Sequence, residues 1–141
     1  MDEVEVKKTK LRVLLVEDNP VNQKLVERYL LKLGHQIDIA DNGAIGLEFL
    51  AQKNYDVILM DIEMLVLNGI ETTKKIVEIY SDNRPVIIAV TASILSAYKE
   101  ICIQAGMDDY MEKPVSGEQL KVMFEKWSDK IIKRIDADYK K

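Results

Sequence analysis

One cysteine and one histidine are all that this chain carries of the two residues that most often build disulfides and zinc centres. Cys102 has no partner for an internal bridge and no second thiolate for a cluster, so it reads as a small buried hydrophobe. No apolar run approaches the roughly 20 residues needed to cross a bilayer, and Met1-Asp2-Glu3-Val4-Glu5-Val6-Lys7-Lys8 lacks the apolar centre of a secretory leader. A cytoplasmic chain making no membrane contact is therefore expected. A basic excess is missing too: the net charge of −4 argues against a protein whose task is to neutralise phosphates along nucleic acid. Internal repeats and low-complexity segments are not evident. What remains is 141 residues, 48% of them hydrophobic, enough for one domain with a real core and too few for two ordinary ones.

The stretch Tyr55-Asp56-Val57-Ile58-Leu59-Met60-Asp61 organises the rest. Three aliphatic residues and a methionine run unbroken to a carboxylate, as in a parallel strand buried on both faces. Leu11-Arg12-Val13-Leu14-Leu15-Val16 has the same plan and ends in Glu17 and Asp18. Asn19-Pro20 then opens a helix with a side-chain acceptor at the cap and a residue lacking N–H at the first position. Its apolar face is Leu25, Val26, Tyr29, Leu30 and Leu33, and Gly34 closes it in a left-handed conformation.

The alternation continues. Gln36 to Ala40 reads as a strand, and Asn42 caps a helix carrying Ala44, Ile45, Leu47, Leu50 and Ala51. Asn68 with Glu71 has the form of a capping box, opening a helix with Ile70, Ile76, Val77 and Ile79 as apolar positions. Pro85 to Thr91 is a fourth strand, about Ser93 to Gln104 a helix ended by Gly106, and Asp109 to Met111 a short fifth strand. Ser116 and Gln119 repeat the capping pattern before a last helix with Leu120, Met123, Phe124, Trp127 and Ile131 on one face, prolonged by Ile132 and Ile135. Five strand–helix units in strict alternation predict a single doubly wound α/β domain, a five-stranded parallel sheet with helices on both faces. The expected division is a flexible lead-in or linker over 1–10, the domain over 11–127, and an extension of the last helix or a linker over 128–141.

In such a sheet the strand ends meet at one edge, where ligands bind. Glu17, Asp18, Asp61, Thr91 and Lys113 would converge there. Crowded carboxylates stay ionised at neutral pH only if a cation offsets them. Magnesium, a hard ion that takes one or two carboxylates and fills its octahedron with water and phosphate oxygens, fits: Asp18 and Asp61 directly, Glu17 through a water. A metal-bound carboxylate beside a lysine and a hydroxyl suits a phosphoryl acceptor. Asp61 would be the nucleophile, with Lys113 and Thr91 countering charge on the transferred group and small Ala92 leaving room for it. Any one edge charge taken alone is usually just solvated; five at the right strand ends are not so easily dismissed.

Val16-Glu17-Asp18-Asn19, Met60-Asp61-Ile62-Glu63-Met64, Val90-Thr91-Ala92 and Met111-Glu112-Lys113-Pro114 resemble, in order and spacing, the motifs of the receiver domain of two-component response regulators. The resemblance covers about residues 11–127. Glu17-Asp18-Asn19-Pro20-Val21-Asn22 and Ala105-Gly106-Met107-Asp108-Asp109-Tyr110 look most like receivers of hybrid histidine kinases and phosphorelays. It implies a flavodoxin-like strand order 2-1-3-4-5, with Asp61 as phosphoacceptor and Glu17 and Asp18 as the metal-binding pair. Glu63 would lend a backbone carbonyl to the metal, and Thr91 and Tyr110 would act as switch residues. Lys113 would be the site lysine and its bond to Pro114 cis, cheap only before proline. It further implies a histidine kinase or histidine phosphotransfer domain as phosphodonor, since His35 lies at the wrong end of the sheet. The region of helix 4, strand 5 and helix 5 would be the face read by a partner or joined in a dimer. Such a domain catalyses only its own phosphorylation and slow dephosphorylation.

One departure concerns the loop after Met64, where the family carries proline and this chain has Leu65, then Val66 and Leu67. Without a fixed φ the loop is freer, and Leu65 and Val66 offer either local packing or a docking patch. The Glu63 side chain is expected to be solvated, with Ser93 offering it no cation. Tyr110 taken by itself is equally well an ordinary half-buried tyrosine. The stretch after Trp127 is short for an output domain, so a stand-alone receiver or a piece of a longer protein is expected. Two alternatives stand beside this reading. A degenerate receiver would bind partners without phosphorylation; an aspartate-nucleophile phosphatase would need a second aspartate where Glu63 stands. Flavin binding is disfavoured by the acidic edge.

Overall fold

The computed structural model describes residues 10–64, 68–92 and 96–139. Strands and helices alternate as β1 (Arg12–Val16), α1 (Pro20–Lys32), β2 (Gln36–Ala40), α2 (Gly43–Gln52), β3 (Val57–Asp61), α3 (Gly69–Tyr80), β4 (Val86–Thr91), α4 (Ser96–Ala105), β5 (Asp109–Glu112) and α5 (Gly117–Tyr139). All four strand pairings are parallel, in the order β2-β1-β3-β4-β5. This is the expected doubly wound, flavodoxin-like topology. The expectations attached to Leu65, Val66, Leu67, Ser93 and residues 1–9 lie outside the described residues, as do the side chains of Ile132 and Ile135.

Strand periodicity divides the core in two. Val13, Leu15, Val57, Leu59, Val86, Ile88 and Val90 face Val26 and Leu30 of α1 and Leu120, Phe124 and Ile131 of α5. Their neighbours Leu14, Val16, Ile58, Met60, Ile87 and Ala89 face Leu50 of α2, Ile76 of α3 and Cys102 of α4. Successive residues serve opposite layers, which is why the central strands read as unbroken apolar runs.

The helix starts follow the side-chain acceptors. Asn19 Oδ1 accepts the N–H groups of Val21 and Asn22, Asn42 Oδ1 accepts that of Ile45, and Asn68 with Glu71 closes a full capping box. Ser116 and Gln119 bond each other's backbone N–H reciprocally at 3.0 and 3.1 Å. Gly34 and Gly106 take φ of +93° and +113°, a region open to glycine at little cost, and so end α1 and α4.

Three expectations are corrected. Ile79 is 62% exposed; α3 instead buries Gly69, Thr72, Thr73 and Ile76. Burial of Thr72 is tolerable because its hydroxyl donates to the Asn68 carbonyl within the helix. Ala44 and Ala51 are exposed, since α2 approaches the sheet through Gly43 and Gly46, the latter against the Val16 side chain. β3 begins at Val57, not Tyr55. Asp56 turns its carboxylate to the amino end of β1, accepting the Arg12 backbone N–H at 2.8 Å and the guanidinium at 2.9 Å.

Beyond Trp127 the last helix continues to Tyr139, and Ile131 is buried in the same layer as Phe124. Trp127 Nε1 donates to Asp109 Oδ2 at 2.8 Å, tying α5 to the start of β5. Since a buried Ile→Ala change costs about 2–5 kcal/mol, Ile131→Ala should lower stability by that order in urea unfolding. A loss below about 0.5 kcal/mol, typical of surface positions, would mean that the helix beyond Trp127 does not pack on the domain.

Candidate functional site

Each site residue is placed by a strand end. Register pairs Val16 with Met60, Asp61 with Val90 and Thr91 with Glu112, so Glu17, Asp61, Thr91 and Lys113 emerge side by side. Backbone bonds from Glu17 N to Ala40 O, Ile62 N to Val90 O and Lys113 N to Thr91 O carry the alignment past the last ladder positions. The Lys113–Pro114 peptide bond is cis.

Asp61 is 1% exposed. Its Oδ1 accepts the Lys113 ammonium at 3.0 Å and the Glu63 N–H at 3.2 Å, while Oδ2 is buried with no hydrogen-bond partner. An orphaned carboxylate oxygen inside a protein is costly and points to a ligand. Glu17, also buried, accepts the Asn19 N–H at 3.0 Å and lies 3.7 Å from Lys113 Nζ. Asp18 is exposed. One carboxylate oxygen from each of Glu17, Asp18 and Asp61 can be chosen so that all lie within 4.8 Å of one another. Three carboxylates that can each offer a hard oxygen there, one of them with an oxygen left unpartnered, fit a divalent cation of the magnesium type.

The electrostatics agree. Burial first, then the Glu17 charge, push the Asp61 carboxyl up to about 7 against the pull of Lys113. Burial works against the Lys113 charge as well, but its bond to Asp61 prevails and holds the ammonium above its ordinary range. One cation is thus shared by two buried carboxylates, and protein groups alone leave the pocket short of positive charge.

Thr91 and Ala92 close the pocket from β4. The Thr91 hydroxyl donates to Glu63 Oε2 at 2.9 Å, and the Ala92 N–H lies 3.4 Å from Oε1. The Glu63 side chain is exposed, as expected, and through these two bonds it also reaches the end of β4. Tyr110, half-buried on β5, lies beneath the Lys99 ammonium, 4.8 Å from its ring centroid. His35 sits at the amino edge, taking the Leu11 N–H on Nδ1 and packing on Phe124.

Gly69 is a contributor that sequence reading passed over. A Cβ there would collide with the Asp61 carbonyl oxygen and the Ile62 Cα, so the start of α3 packs directly on the backbone that presents the Asp61 carboxylate. The only signal was a glycine immediately after a cap asparagine.

A doubly wound α/β domain with an acid cluster, a lysine and a hydroxyl at the carboxyl edge of its sheet is thus defined. The profile of the response regulator receiver domain matches residues 13–125. The chain belongs to that family. It is 41% identical over 134 residues to hybrid signal transduction histidine kinase I of Dictyostelium discoideum, a match covering 90% of this chain and 8% of that protein's length. It is 34% identical over 129 residues to the aerobic respiration control sensor protein ArcB of Escherichia coli, covering 91% of this chain and 16% of that one. Among solved structures, the receiver domain of sensor histidine kinase PA1611 of Pseudomonas aeruginosa, with magnesium coordinated in its active-site cleft, superposes with a TM-score of 0.76 at 38% identity, covering 84% of this chain and 98% of that one. The receiver domain of Saccharomyces cerevisiae Ssk1, in complex with the phosphotransfer protein Ypd1, gives 0.78 at 30% identity, covering 84% and 88%. Among the described residues no helix is long and apolar enough to cross a membrane.

Two outcomes follow from the geometry. Because the folded-state pKa of Asp61 is raised, the folded chain holds a proton that the unfolded chain has lost, and stability falls as pH rises from about 4 to 7. Asp61→Asn should therefore raise metal-free stability at pH 7.5 by on the order of 2 kcal/mol and flatten that slope. It should also shrink the upward shift in melting temperature produced by magnesium. Thermal melts from pH 4 to 8 with and without magnesium read all three effects, and a less stable Asp61→Asn protein would contradict the assignment. Gly69→Ala should cost about 1–3 kcal/mol by overpacking and weaken the magnesium-dependent shift, because the Asp61 backbone must move; an unchanged shift would place that contact outside the site.

Proposed function

We propose that this chain is the phosphoacceptor receiver of a phosphorelay, in which Asp61 takes a phosphoryl group from a phosphohistidine on a histidine kinase or histidine phosphotransfer domain. The observation that carries this is the buried Asp61 carboxylate, with one oxygen held by Lys113 and the other unpartnered. In the transfer an Asp61 oxygen forms the bond to phosphorus and the phosphorus–nitrogen bond of the donor breaks. Its electron pair stays on the imidazole, which takes up a proton. Lys113, 3.0 Å from the acceptor carboxylate, counters charge on the equatorial oxygens, and the Thr91 hydroxyl and Ala92 N–H are the donors at the end of β4.

Asp18 and Asp61 would hold magnesium directly, with Glu17 acting through a water and Glu63 through its backbone carbonyl. When bound, that ion supplies the positive charge the pocket otherwise lacks. Transfer replaces the single negative charge of the Asp61 carboxylate with a phosphoryl group carrying about −1.5 to −2 charges and three acceptor oxygens. Thr91 and Lys113 are drawn toward it, Tyr110 leaves the Lys99 contact and turns inward, and the face formed by α4, β5 and α5 changes for a partner or a second copy to read. Likeness to receivers named as parts of hybrid kinases supports the same place for this chain, as a domain over about 11–127 with 1–10 as a lead-in or linker and 128–141 as an extension of the last helix. Outside its own phosphorylation and dephosphorylation it is not an enzyme.

Intact-protein mass after incubation with acetyl phosphate or phosphoramidate tests the reading. A gain of one phosphoryl group is expected with magnesium, and none without magnesium or with Asp61→Asn. Partner binding by Asp61→Asn equal to that of phosphorylated wild type would favour a phosphorylation-independent docking domain instead.

A further inference from the structure

Glu63 stands two residues past Asp61, and its backbone N–H already donates to Asp61 Oδ1. Its side chain crosses the pocket to the end of β4, where Oε2 accepts the Thr91 hydroxyl at 2.9 Å and Oε1 faces the Ala92 N–H at 3.4 Å. One carboxylate thus engages both donors that β4 would offer to a phosphoryl group on Asp61. Carboxylate and phosphoryl oxygens present the same chemistry to such donors. They cannot share the Thr91 hydroxyl, which has a single proton to give. Charge sets them against each other as well, because a phosphoryl group carrying about −1.5 to −2 charges takes the place of the single Asp61 charge next to the Glu63 carboxylate.

Resting on the phosphoacceptor reading above, we propose that Glu63 is an internal competitor of the phosphoryl group: it holds the Thr91 hydroxyl and the Ala92 N–H in the unphosphorylated chain and so sets how readily Asp61 is phosphorylated. Glu63 is then a positioning residue, acting on the transfer through Thr91. With acetyl phosphate as donor, an Asp61 oxygen bonds to phosphorus, the bond from phosphorus to the acetyl oxygen breaks, and acetate leaves with the electron pair. The β4 donors can serve that step only after Glu63 lets go of them. A charge-assisted hydrogen bond in a half-open site makes this worth about a tenfold change in rate.

The test is the initial rate of acetyl phosphate labelling at saturating magnesium, followed by intact mass. It compares wild type with Glu63→Ala, Glu63→Gln, Thr91→Ala and the double variant Glu63→Ala with Thr91→Ala. Glu63→Ala should label about tenfold faster than wild type, and Glu63→Gln by less, because a neutral amide oxygen still accepts the hydroxyl. On the Thr91→Ala background the same Glu63→Ala change should accelerate labelling clearly less than on the wild-type background, since only the long 3.4 Å contact with the Ala92 N–H and the charge of Glu63 are left to remove. Equal acceleration on both backgrounds would show Glu63 acting by charge alone and would overturn the proposal, as would Glu63 variants no faster than wild type. If neither wild type nor any Glu63 variant is labelled, the phosphoacceptor reading itself falls and this proposal with it. Wild type labelled at a rate indifferent to Glu63 sinks this proposal only.

Discussion

The ion pair between Asp61 and Lys113 is the interaction on which the site depends. Asp61 comes from the central strand and Lys113 from just past the edge strand, 52 residues later, so their meeting at 3.0 Å requires the parallel register of β3, β4 and β5. The pair is not chiefly a stabiliser. Desolvation of both groups offsets much of their attraction, and Glu17 adds a second carboxylate to the same ammonium. The result is a pocket of negative charge held in place by the fold, which a cation can engage without the protein having to gather its carboxylates first.

Stability and chemistry are separated along the strands. At the amino edge, Asp56 with Arg12 and Asp108 with Arg84 pair carboxylates with guanidinium groups and also accept backbone N–H groups, closing the ladder ends. Those acids are matched. At the carboxyl edge Glu17, Asp18 and Asp61 face one lysine, and an Asp61 oxygen is left without a partner. The two apolar layers hold the edges a fixed distance apart, so the imbalance at one end is carried by burial along the whole sheet.

Much of this was legible in the residues. Unbroken apolar runs with acids at their ends, Asn-Pro and Asn-x-x-Glu helix starts, and closing glycines together implied the alternation, and right-handed crossovers left few other folds. Glu17, Asp18, Asp61, Thr91 and Lys113 could be placed at one edge because each ends its strand or follows it within two residues. Burial on the helices was read less well: Ile79 is exposed while Thr72 and Thr73 are buried. Thr72 satisfies its hydroxyl on the Asn68 carbonyl within its own helix, whereas the Thr73 hydroxyl is buried without a hydrogen-bond partner, and hydropathy registers neither. Gly69 was missed for a related reason. A glycine required by a close backbone approach looks, in one sequence, like any other.

Local order along the chain determined which elements form and which residues end them, since caps, breakers and period-two or period-3.6 patterns act over a few positions. Tertiary structure alone decided the contacts among those ends: that Glu63 reaches back to Thr91, that Lys99 covers Tyr110, that Trp127 ties α5 to Asp109, and that Ile131 joins the core. Each links residues between 11 and 28 positions apart; Ile131 belongs to a layer shared with β1. Their meeting depends on strand register and helix rotation, which are set by packing of the whole sheet and leave no periodic trace in the residues themselves.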